Sequence, residues 1–365
     1  MHRSKLFNTL PFILMKNNFI IIAGPCSVET EEQIYNTAKQ LKELVNPSYF
    51  RAALWKPRTR PGNFEGIGTK GLSWITTIQQ ELNMNVITEV GNPKHVETIL
   101  KNQIKAYWLG ARTVSNPFSV QEIIEATDNK NINIFIKNPL FPDVELWAGV
   151  IERYFNAGFN NVFAVHRGFF PYQKTYLRNI PMWEVPIELA RRYPQLKIIC
   201  DPSHIAGNPD FIKEISQQAI NLNMNGLMVE VHHNPQIALS DKNQQITPIQ
   251  LKNILSELKF KSNNTSNPDY DEIIQNLRQE IDKIDYKLID ELAKRFIISD
   301  KIGELKRIHN TTILQLDRWK SILETRIQHS QSHNISKDFI LKIFEQIHEE
   351  SINRQNKIQS NTFSD

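Results

Sequence analysis

The stretch FIIIAGPCS, residues 19–27, decides the fold. Its first part is apolar at every position, which is typical of a parallel strand buried on both faces, and it ends abruptly in glycine, proline and polar residues. The same design recurs seven times along the chain. The other runs are SYFRAAL (48–54), NVITEV (85–90), AYWLG (106–110), INIFIK (132–137), NVFAVH (161–166), LKIIC (196–200) and GLMVEV (226–231).

Helical patterns fill most of the gaps between these runs, for example at Glu31–Leu44 and Pro209–Leu222. Strands that alternate with helices indicate a parallel sheet. Eight such units in ~230 residues predict an α/β fold of the (β/α)8 TIM barrel type. A doubly wound open sheet is the alternative that this alternation leaves open.

Composition limits the class of protein. A chain of 365 residues with 40% hydrophobic and 22% charged residues is globular and long enough for two domains. The net charge of +4 is too small to indicate nucleic-acid binding, and no apolar run reaches the ~18 residues that a membrane span needs. Two cysteines exclude a disulfide scaffold, so we expect a reducing, cytoplasmic location.

The segment KSNNTSNPD, residues 261–269, is polar, contains proline and lacks apolar periodicity, so it predicts a linker. Strands occur only before it, and only helical patterns follow it. We therefore expect five regions, with Met15 as the native start inside the first. They are an N-terminal arm at 1–18, the barrel at 19–260, the linker at 261–269, a helical domain at 270–356 and a disordered tail at 357–365.

Side chains able to bind a metal follow three of the strands. The carboxyl ends of all barrel strands meet at one mouth, so residues distant in sequence converge there. A thiol, an imidazole and two carboxylates suit a divalent ion of the Mn, Fe, Co or Zn type better than Mg or Ca. The sequence therefore predicts one metal site made by Cys26, His204, Glu230 and Asp241.

Six cations follow or belong to the strands as well: Arg51, Lys56, Arg58, Arg112, Lys137 and Arg167. Any single one would ordinarily pair with a surface acid. Six at one mouth would repel one another unless anions occupy it, and arginine suits bidentate recognition of phosphate or carboxylate. The number of cations predicts two phosphorylated substrates.

The motifs GPCS, KPRT, GAR, Lys137, HRG, DPSH and VEVH, in this order over residues 19–255, resemble the short bacterial class of 3-deoxy-D-arabino-heptulosonate 7-phosphate (DAHP) synthase. That family opens the shikimate pathway by joining phosphoenolpyruvate to erythrose 4-phosphate. The resemblance implies that the four predicted ligands hold the metal and that Glu89 handles water or a proton. It also implies phosphoenolpyruvate binding by Arg51, Lys56, Arg112, Lys137 and Arg167, and erythrose 4-phosphate binding by Lys56, Pro57, Arg58 and Thr59.

Two alternatives to this function stay open. The related 3-deoxy-octulosonate 8-phosphate synthase shares the barrel, but it typically has a Lys-Ala-Asn-Arg segment where this chain has Lys56-Pro57-Arg58-Thr59, which favours erythrose 4-phosphate here. Arg60 departs from the serine found in many members of the DAHP synthase family. A non-catalytic barrel that only binds metabolites or other proteins is the second alternative.

The region after the linker predicts a long amphipathic helix at 270–308, with two further helices at 317–330 and 336–356. Apolar residues recur every three or four positions at Leu277, Ile281, Ile284, Leu288, Leu292, Phe296, Ile302 and Leu305. Such a helix is ~55 Å long, too long for one small domain to cover. We therefore expect an all-α three-helix domain that dimerises, giving a homo-oligomer.

This region resembles the small all-helical chorismate mutases, through LRxxIDxID at 277–285, LAxR at 292–295 and IGxxK at 302–306. The resemblance implies that chorismate is bound by Arg278 of a partner chain together with Arg295, Lys306, Gln315, Arg318, Ser351 and Gln355, and converted to prephenate. Trp319 stands where the family usually has glutamate. A domain that binds chorismate or prephenate only to regulate the barrel is therefore an alternative.

Overall fold

A computed structural model of the chain describes residues 18–58, 62–173, 175–260 and 268–360. The chain divides into two compact units, Met1–Lys261 and Ser262–Asp365. Most of the predicted N-terminal arm and of the linker lies outside the described residues, as do Thr59 and Arg60.

The first unit is a closed barrel of eight parallel strands in sequence order, so the barrel prediction is confirmed and the open sheet is excluded. Strand β1 pairs with β8 along its whole length, from Ile20 opposite Gly226 to Gly24 opposite Glu230. The strands are β1 Ile20–Gly24, β2 Tyr49–Arg51, β3 Val86–Val90, β4 Ala106–Leu109, β5 Asn133–Lys137, β6 Val162–His166, β7 Lys197–Cys200 and β8 Gly226–Glu230.

Helices cover the outside of the barrel, most of them between consecutive strands. They are α1 Glu31–Leu44, α2 Leu72–Glu81, α3 Pro93–Lys101, α4 Ala111–Val114, α5 Pro117–Ala126, α6 Val144–Asn156, α7 Glu184–Arg192, α8 Pro202–Ala206, α9 Ile212–Asn221 and α10 Pro248–Glu257. Short 3₁₀ turns lie at Gly68–Gly71, Pro209–Phe211, Pro235–Ile237 and Lys242–Gln244. The helix expected at 209–222 is therefore split into a 3₁₀ turn and α9.

Local sequence explains where several of these helices begin. Thr30, Asn92 and Asp143 each accept a hydrogen bond from a backbone N–H of the first turn that follows, which satisfies a donor that no helical carbonyl can reach. Thr247 and Gln250 form a reciprocal capping box at the start of α10. These caps fix the ends of the helices and hence the loops at the barrel mouth.

Alternate residues of each strand point into the barrel or out to the helices. The interior cluster contains Ile22, Ile87, Trp108, Phe135, Val165, Ile199 and Met228, all buried. Their strand neighbours, such as Ile21 and Leu109, pack in the layer between sheet and helices, and Cys200 lies in that outer layer. Because the interior is filled by side chains, chemistry is confined to the strand ends.

The second unit contains α11 Pro268–Ile308, α12 Leu316–Gln331 and α13 Lys337–Ser360. The prediction of a disordered tail from 357 is wrong for residues 357–360, which continue α13. Gly303 lets α13 approach α11 closely, since a Cβ there would lie 2.9 Å from Gln355 Cγ and 3.3 Å from Ile358 Cδ1.

Within this unit the apolar face of α11 is largely uncovered. Ile273, Leu277, Ile281, Ile284 and Leu288 are each at least half exposed. None of the helices in the described ranges is both long and apolar enough to cross a membrane.

Candidate active sites

A cavity of about 390 Å³ opens at the carboxyl ends of the strands. The structure brings together most of the residues that the sequence predicted for this mouth. Nine of them line the cavity: Lys56, Pro57, Arg58, Glu89, Arg112, Lys137, Arg167, His204 and Asp241.

A larger cavity, about 580 Å³, opens at the opposite end of strands β2–β5. Its lining includes Tyr49, Asn85, Lys101 and Lys105. No carboxylate, thiol or imidazole belongs to that lining, so we place no chemistry there.

Three of the predicted metal ligands form a compact group beside the first cavity. One atom each from Cys26, Glu230 and Asp241 lies within 4.8 Å of the other two. The Cys26 Sγ donates to Asp241 Oδ2 over 3.4 Å. Burial, and secondarily the charge of Glu230, raises the pKa of the Cys26 thiol to about 12. The thiol therefore keeps its proton unless a bound cation displaces it.

His204 adjoins this group without belonging to it. Its Nε2 lies 3.8 Å from Glu230 Oε1, and its Nδ1 lies 2.8 Å from Asp201 Oδ2. Burial lowers the pKa of His204 to about 4, so the ring is neutral near pH 7, the form in which imidazole binds metals. Asp201 fixes which nitrogen faces the group, as carboxylates do behind metal-binding histidines.

Glu230 is held in place from three directions. Arg51 donates to Oε1 over 2.9 Å, Gln244 donates to Oε2 over 2.5 Å, and the Glu230 backbone N–H donates to Ser203. Burial alone would raise the pKa of Glu230, but His204 and Arg51 outweigh it and lower the pKa. The carboxylate is therefore ionised and ready to bind a cation.

Arg51 lies below the cavity instead of lining it. As the inward-pointing residue of β2 it is fully buried, with its guanidinium 5.2 Å from the Trp108 ring centroid. Its ion pair with Glu230 gives it a role in orienting that carboxylate. Strand register decides this placement, which position at the strand end alone did not reveal.

Lys137 is paired with Asp201 at 2.8 Å. Burial lowers the pKa of Lys137, although Asp201 opposes the shift, and burial lowers the pKa of Arg167 to about 10. Sequence reasoning assigned Asp201 no function. Its position directly after β7, where it also caps α8, was the available signal.

Asp241 faces two arginines across the mouth. Its Oδ1 lies 3.9 Å from Arg58 and 3.4 Å from Arg178. The guanidinium of Arg58 also donates to the Phe64 carbonyl over 3.0 Å. Nearby, Lys56 and Glu89 form an ion pair at 3.5 Å. Arg178 was missed because no strand ends near it in the sequence.

The helical unit contains its own cavity, of about 350 Å³. Six of the seven residues predicted for this site line it: Arg295, Lys306, Gln315, Arg318, Ser351 and Gln355. The seventh, Arg278, is not in the lining, and the sequence assigned it to a partner chain. Arg326 adds a further cation, and the lining contains no carboxylate.

Several polar groups of this cavity are held by neighbours within the unit. Arg295 donates to the Ser351 hydroxyl over 2.8 Å, Lys306 to the Ile313 carbonyl over 2.5 Å and Gln355 Nε2 to the Ser299 hydroxyl over 3.0 Å. Burial lowers the pKa of Lys306, and burial together with Arg326 lowers the pKa of Arg295. The lining thus combines four cations, Arg295, Lys306, Arg318 and Arg326, with no carboxylate.

Trp319 stacks on His348 with ring centroids 3.9 Å apart and planes 8° from parallel. Burial, followed by the charges of Arg295 and Lys306, lowers the pKa of His348. His348 Nε2 and Gln355 Oε1 are both buried without a hydrogen-bond partner. The stacked rings of Trp319 and His348 thus form part of the cavity wall at the position where chorismate mutases usually have glutamate.

Two family models match the chain. Residues 13–265 match the DAHP synthetase I family, and residues 277–356 match chorismate mutase type II. The phospho-2-dehydro-3-deoxyheptonate aldolase of Thermotoga maritima is 31% identical over 241 residues, which is 66% of this chain and 69% of that protein. The 2-dehydro-3-deoxyphosphooctonate aldolase of Desulfotalea psychrophila is 26% identical over 262 residues, covering 66% and 88%.

Solved structures give the same result. The crystal structure of the Thermotoga maritima DAHP synthase superposes with a TM-score of 0.59 at 30% identity, covering 66% of this chain and 68% of that one. A truncated form of that enzyme gives a TM-score of 0.57 at 28% identity, covering 66% and 84%.

Proposed function

The chain belongs to the DAHP synthetase I family, and from this premise we propose that it is a bifunctional enzyme of aromatic biosynthesis. The barrel condenses phosphoenolpyruvate with erythrose 4-phosphate and water to DAHP and phosphate. The type II chorismate mutase domain converts chorismate to prephenate. The observation that carries the synthase activity is the group Cys26, Glu230 and Asp241 beside a cavity ringed by cations.

The donor set fits the divalent metal on which the family depends. A thiol, two carboxylates and the adjacent His204 imidazole combine sulfur, oxygen and nitrogen, which suits an ion of the Mn, Fe, Co or Zn type. We propose that these four side chains hold one such ion. When bound, it would supply Lewis acidity toward the aldehyde oxygen of the aldose.

The protein's own residues bind and orient the two substrates. We assign the binding of phosphoenolpyruvate to Lys56, Arg112, Lys137 and Arg167. We assign the binding of the erythrose 4-phosphate phosphate to Arg58. Pro57 and Thr59 are assigned to erythrose 4-phosphate as well. Holding C3 of phosphoenolpyruvate against the aldehyde carbon converts an encounter in solution into a reaction between fixed neighbours.

The bond changes follow from this orientation. C3 of phosphoenolpyruvate attacks the aldehyde carbon, and water adds to C2, which has become electron-poor. The former aldehyde oxygen takes up a proton and becomes a hydroxyl. The hemiketal phosphate then collapses: the C2 hydroxyl loses its proton to become the carbonyl, the C2–O bond to the phosphate breaks, and phosphate leaves. We propose that Glu89, which is 6% exposed and paired with Lys56, takes a proton from the water. The surrounding cations stabilise the charge on both phosphates.

The mutase reaction is a rearrangement that needs no acid, base or nucleophile. Arg295 and Arg278 of a partner copy bind the two carboxylates, and Lys306 and Gln355 support the breaking C–O bond. The amide of Gln355 would turn over for this role, so that Ser299 donates to Oε1 and the NH₂ group faces the ligand.

A second copy of the chain completes this domain. The exposed apolar side chains along α11, Ile273 to Leu288, form a face that water disfavours. A partner helix laid on it would bury that face and supply the partner's Arg278. We therefore propose a homo-oligomer built on α11.

Regulation is the further role that we propose for the helical domain. Chorismate and prephenate are formed later in the pathway than DAHP. We therefore expect that binding of either one in the helical cavity inhibits DAHP synthesis by the barrel. We also place the enzyme in the cytoplasm, consistent with two unpaired cysteines.

Activity assays on the purified full-length chain test the two proposed reactions. Phosphate release is measured with phosphoenolpyruvate and either erythrose 4-phosphate or arabinose 5-phosphate, with and without a chelator. Chorismate consumption is measured in parallel under the same two conditions. We expect turnover with erythrose 4-phosphate, loss of that turnover with the chelator, and chelator-resistant mutase activity. Preference for arabinose 5-phosphate would show the octulosonate reaction, and absence of both activities would favour a binding module.

A further inference from the structure

Hydrogen bonds to the residues of α8 fix the position of Arg178. Its backbone N–H donates to the Ala206 carbonyl over 3.2 Å, and that of Asn179 donates to the Ile205 carbonyl over 3.1 Å. Asn179 also donates from its side chain to the His204 carbonyl over 2.6 Å. These bonds tie the segment that carries Arg178 to α8, the helix that carries His204.

The close approach of this segment requires glycine at the end of α8. Gly207 has φ +68°, and a Cβ there would lie 2.4 Å from Arg178 Cβ. Any other residue would push Arg178 away from the mouth or strain the turn. The placement of Arg178 is thus fixed by backbone and not by its own side chain.

The guanidinium of Arg178 reaches the edge of the cavity at the mouth of the barrel. Its Nη1 lies 3.4 Å from Asp241 Oδ1, and Arg58 Nη1 lies 3.9 Å from the same oxygen. Arg178 also donates to Gln244. Two guanidinium groups that share one oxygen atom are close enough for a single phosphate to contact both. The Arg178 side chain is 42% exposed, so an incoming ligand can reach it.

The charges around the mouth leave these two arginines short of negative partners. Three buried cations have carboxylates of their own, Arg51 with Glu230, Lys56 with Glu89 and Lys137 with Asp201. Arg58 and Arg178 share the single carboxylate of Asp241. That carboxylate also belongs to the group of metal-binding atoms, so a bound cation would draw on the same charge.

The geometry points to Arg178 as a second arginine, with Arg58, that binds the phosphate of the aldose substrate. This inference rests on the proposed synthase function and adds a residue that determines its specificity. The phosphate would take the position between the two guanidinium groups, and bidentate contacts from arginine suit its oxygens. Arg178 would then select phosphorylated over unphosphorylated aldoses.

The test compares two aldoses in two proteins. Full-length wild type and Arg178→Gln are assayed with erythrose 4-phosphate and with erythrose, which lacks the phosphate. We expect kcat/KM for erythrose 4-phosphate to fall about 10- to 100-fold, the range for losing a charged hydrogen bond, and kcat/KM for erythrose to change less than about threefold. Arg178→Lys should recover part of the loss because it keeps the charge.

An equal fall with both aldoses would overturn the inference, because Arg178 would then only support Asp241 and Gln244. Gln244→Ala is the matched structural variant: it removes a partner of Arg178 and of Glu230 but no charge, so its effect should be the same for both aldoses. Arg191→Gln, on the exposed surface of α7, controls for loss of an arginine.

If erythrose turnover is too slow to measure, KM values decide. A rise confined to KM for erythrose 4-phosphate supports the inference, whereas an equal rise for phosphoenolpyruvate, or a fall in kcat alone, overturns it. Failure of the wild type to make DAHP would instead contradict the proposed function itself.

Discussion

The thiol of Cys26 lies 3.4 Å from the carboxylate of Asp241, although 215 positions separate them in the sequence. One follows the first strand and the other follows the last, and closure of the barrel between β1 and β8 makes them neighbours. With Glu230 they form the group on which we base the metal site.

Removal of the thiol should abolish the synthase and spare the mutase. Replacing Cys26 by alanine takes away the sulfur ligand, so we expect the DAHP synthase rate to fall at least about 100-fold and bound metal to be lost. Chorismate mutase activity should stay within about twofold. Metal content and both rates are measured on the same preparation.

Cys200→Ala is the matched control, since Cys200 is equally buried but lies in the apolar layer outside the barrel interior. It should keep both its metal and its synthase rate. Full synthase activity in Cys26→Ala would show that the thiol is not needed as a metal ligand.

Asp201→Asn should weaken both metal binding and phosphoenolpyruvate binding. The carboxylate pairs with Lys137 at 2.8 Å and with His204 Nδ1 at 2.8 Å, and its loss leaves Lys137 buried without a counter-charge. We expect metal affinity to fall about 10- to 100-fold and KM for phosphoenolpyruvate to rise. Metal titration and steady-state kinetics measure the two effects.

Asp210→Asn, in the exposed 3₁₀ turn after α8, provides the comparison. It should alter neither quantity. Unchanged metal affinity in Asp201→Asn would contradict a role for this residue behind His204.

Lys306→Ala should remove mutase activity without affecting the barrel's chemistry. Lys306 lines the helical cavity, and we propose that its ammonium group stabilises the charge on the breaking C–O bond, which alanine cannot do. We expect kcat for chorismate to fall at least about 100-fold, with the DAHP synthase rate unchanged in the absence of chorismate.

Lys301→Ala, an exposed lysine on the same helix, should leave the mutase rate as it is. If Lys306→Ala retained full mutase activity, the cavity would be a regulatory binding site and not a catalytic one. Inhibition of the barrel by prephenate in that variant would then identify its use.

Charge placed on the exposed face of α11 should separate the copies. Ile284 is 56% exposed within one chain, and Ile284→Lys would bury an ammonium group at the proposed contact. Analytical ultracentrifugation should show a smaller oligomer and the mutase rate should drop, because the partner's Arg278 is lost. The control variant Lys283→Ala, at the exposed neighbouring residue, should preserve the assembly. If the wild type sediments as a monomer, the proposed homo-oligomer is wrong.

Acid should destabilise the barrel through a buried histidine. The His166 ring is fully buried beside Trp147, Phe169 and Trp183, and burial lowers the pKa of His166 to about 3 from 6.5. Between these pH values the unfolded chain binds a proton that the folded chain does not, so stability falls as pH falls. This residue alone should lower the free energy of unfolding by about 1 kcal/mol between pH 7.5 and pH 5.5.

Urea unfolding of the wild type and of His166→Phe at these two pH values measures the contribution of His166 to this change in the free energy of unfolding. The variant should show the smaller decrease on acidification. Equal decreases in both proteins would mean that His166 is not the group that takes up the proton.

The sequence by itself determined the barrel, the helical domain and most of the residues at both cavities. Strand and helix periodicity are local properties, and parallel strands bring every carboxyl end to one mouth whatever the loops contain. That is why the sequence alone predicts that Lys56, Arg112, Lys137 and Arg167 lie together.

Only the tertiary structure decided which charges meet. Arg51 turned out to face Glu230 from inside the barrel, Asp201 to join Lys137 with His204, and Arg178 to reach Asp241 from a loop held against α8. The direction of each side chain depends on strand register and on contacts between loops far apart in sequence. Periodicity along one segment carries no information about those contacts.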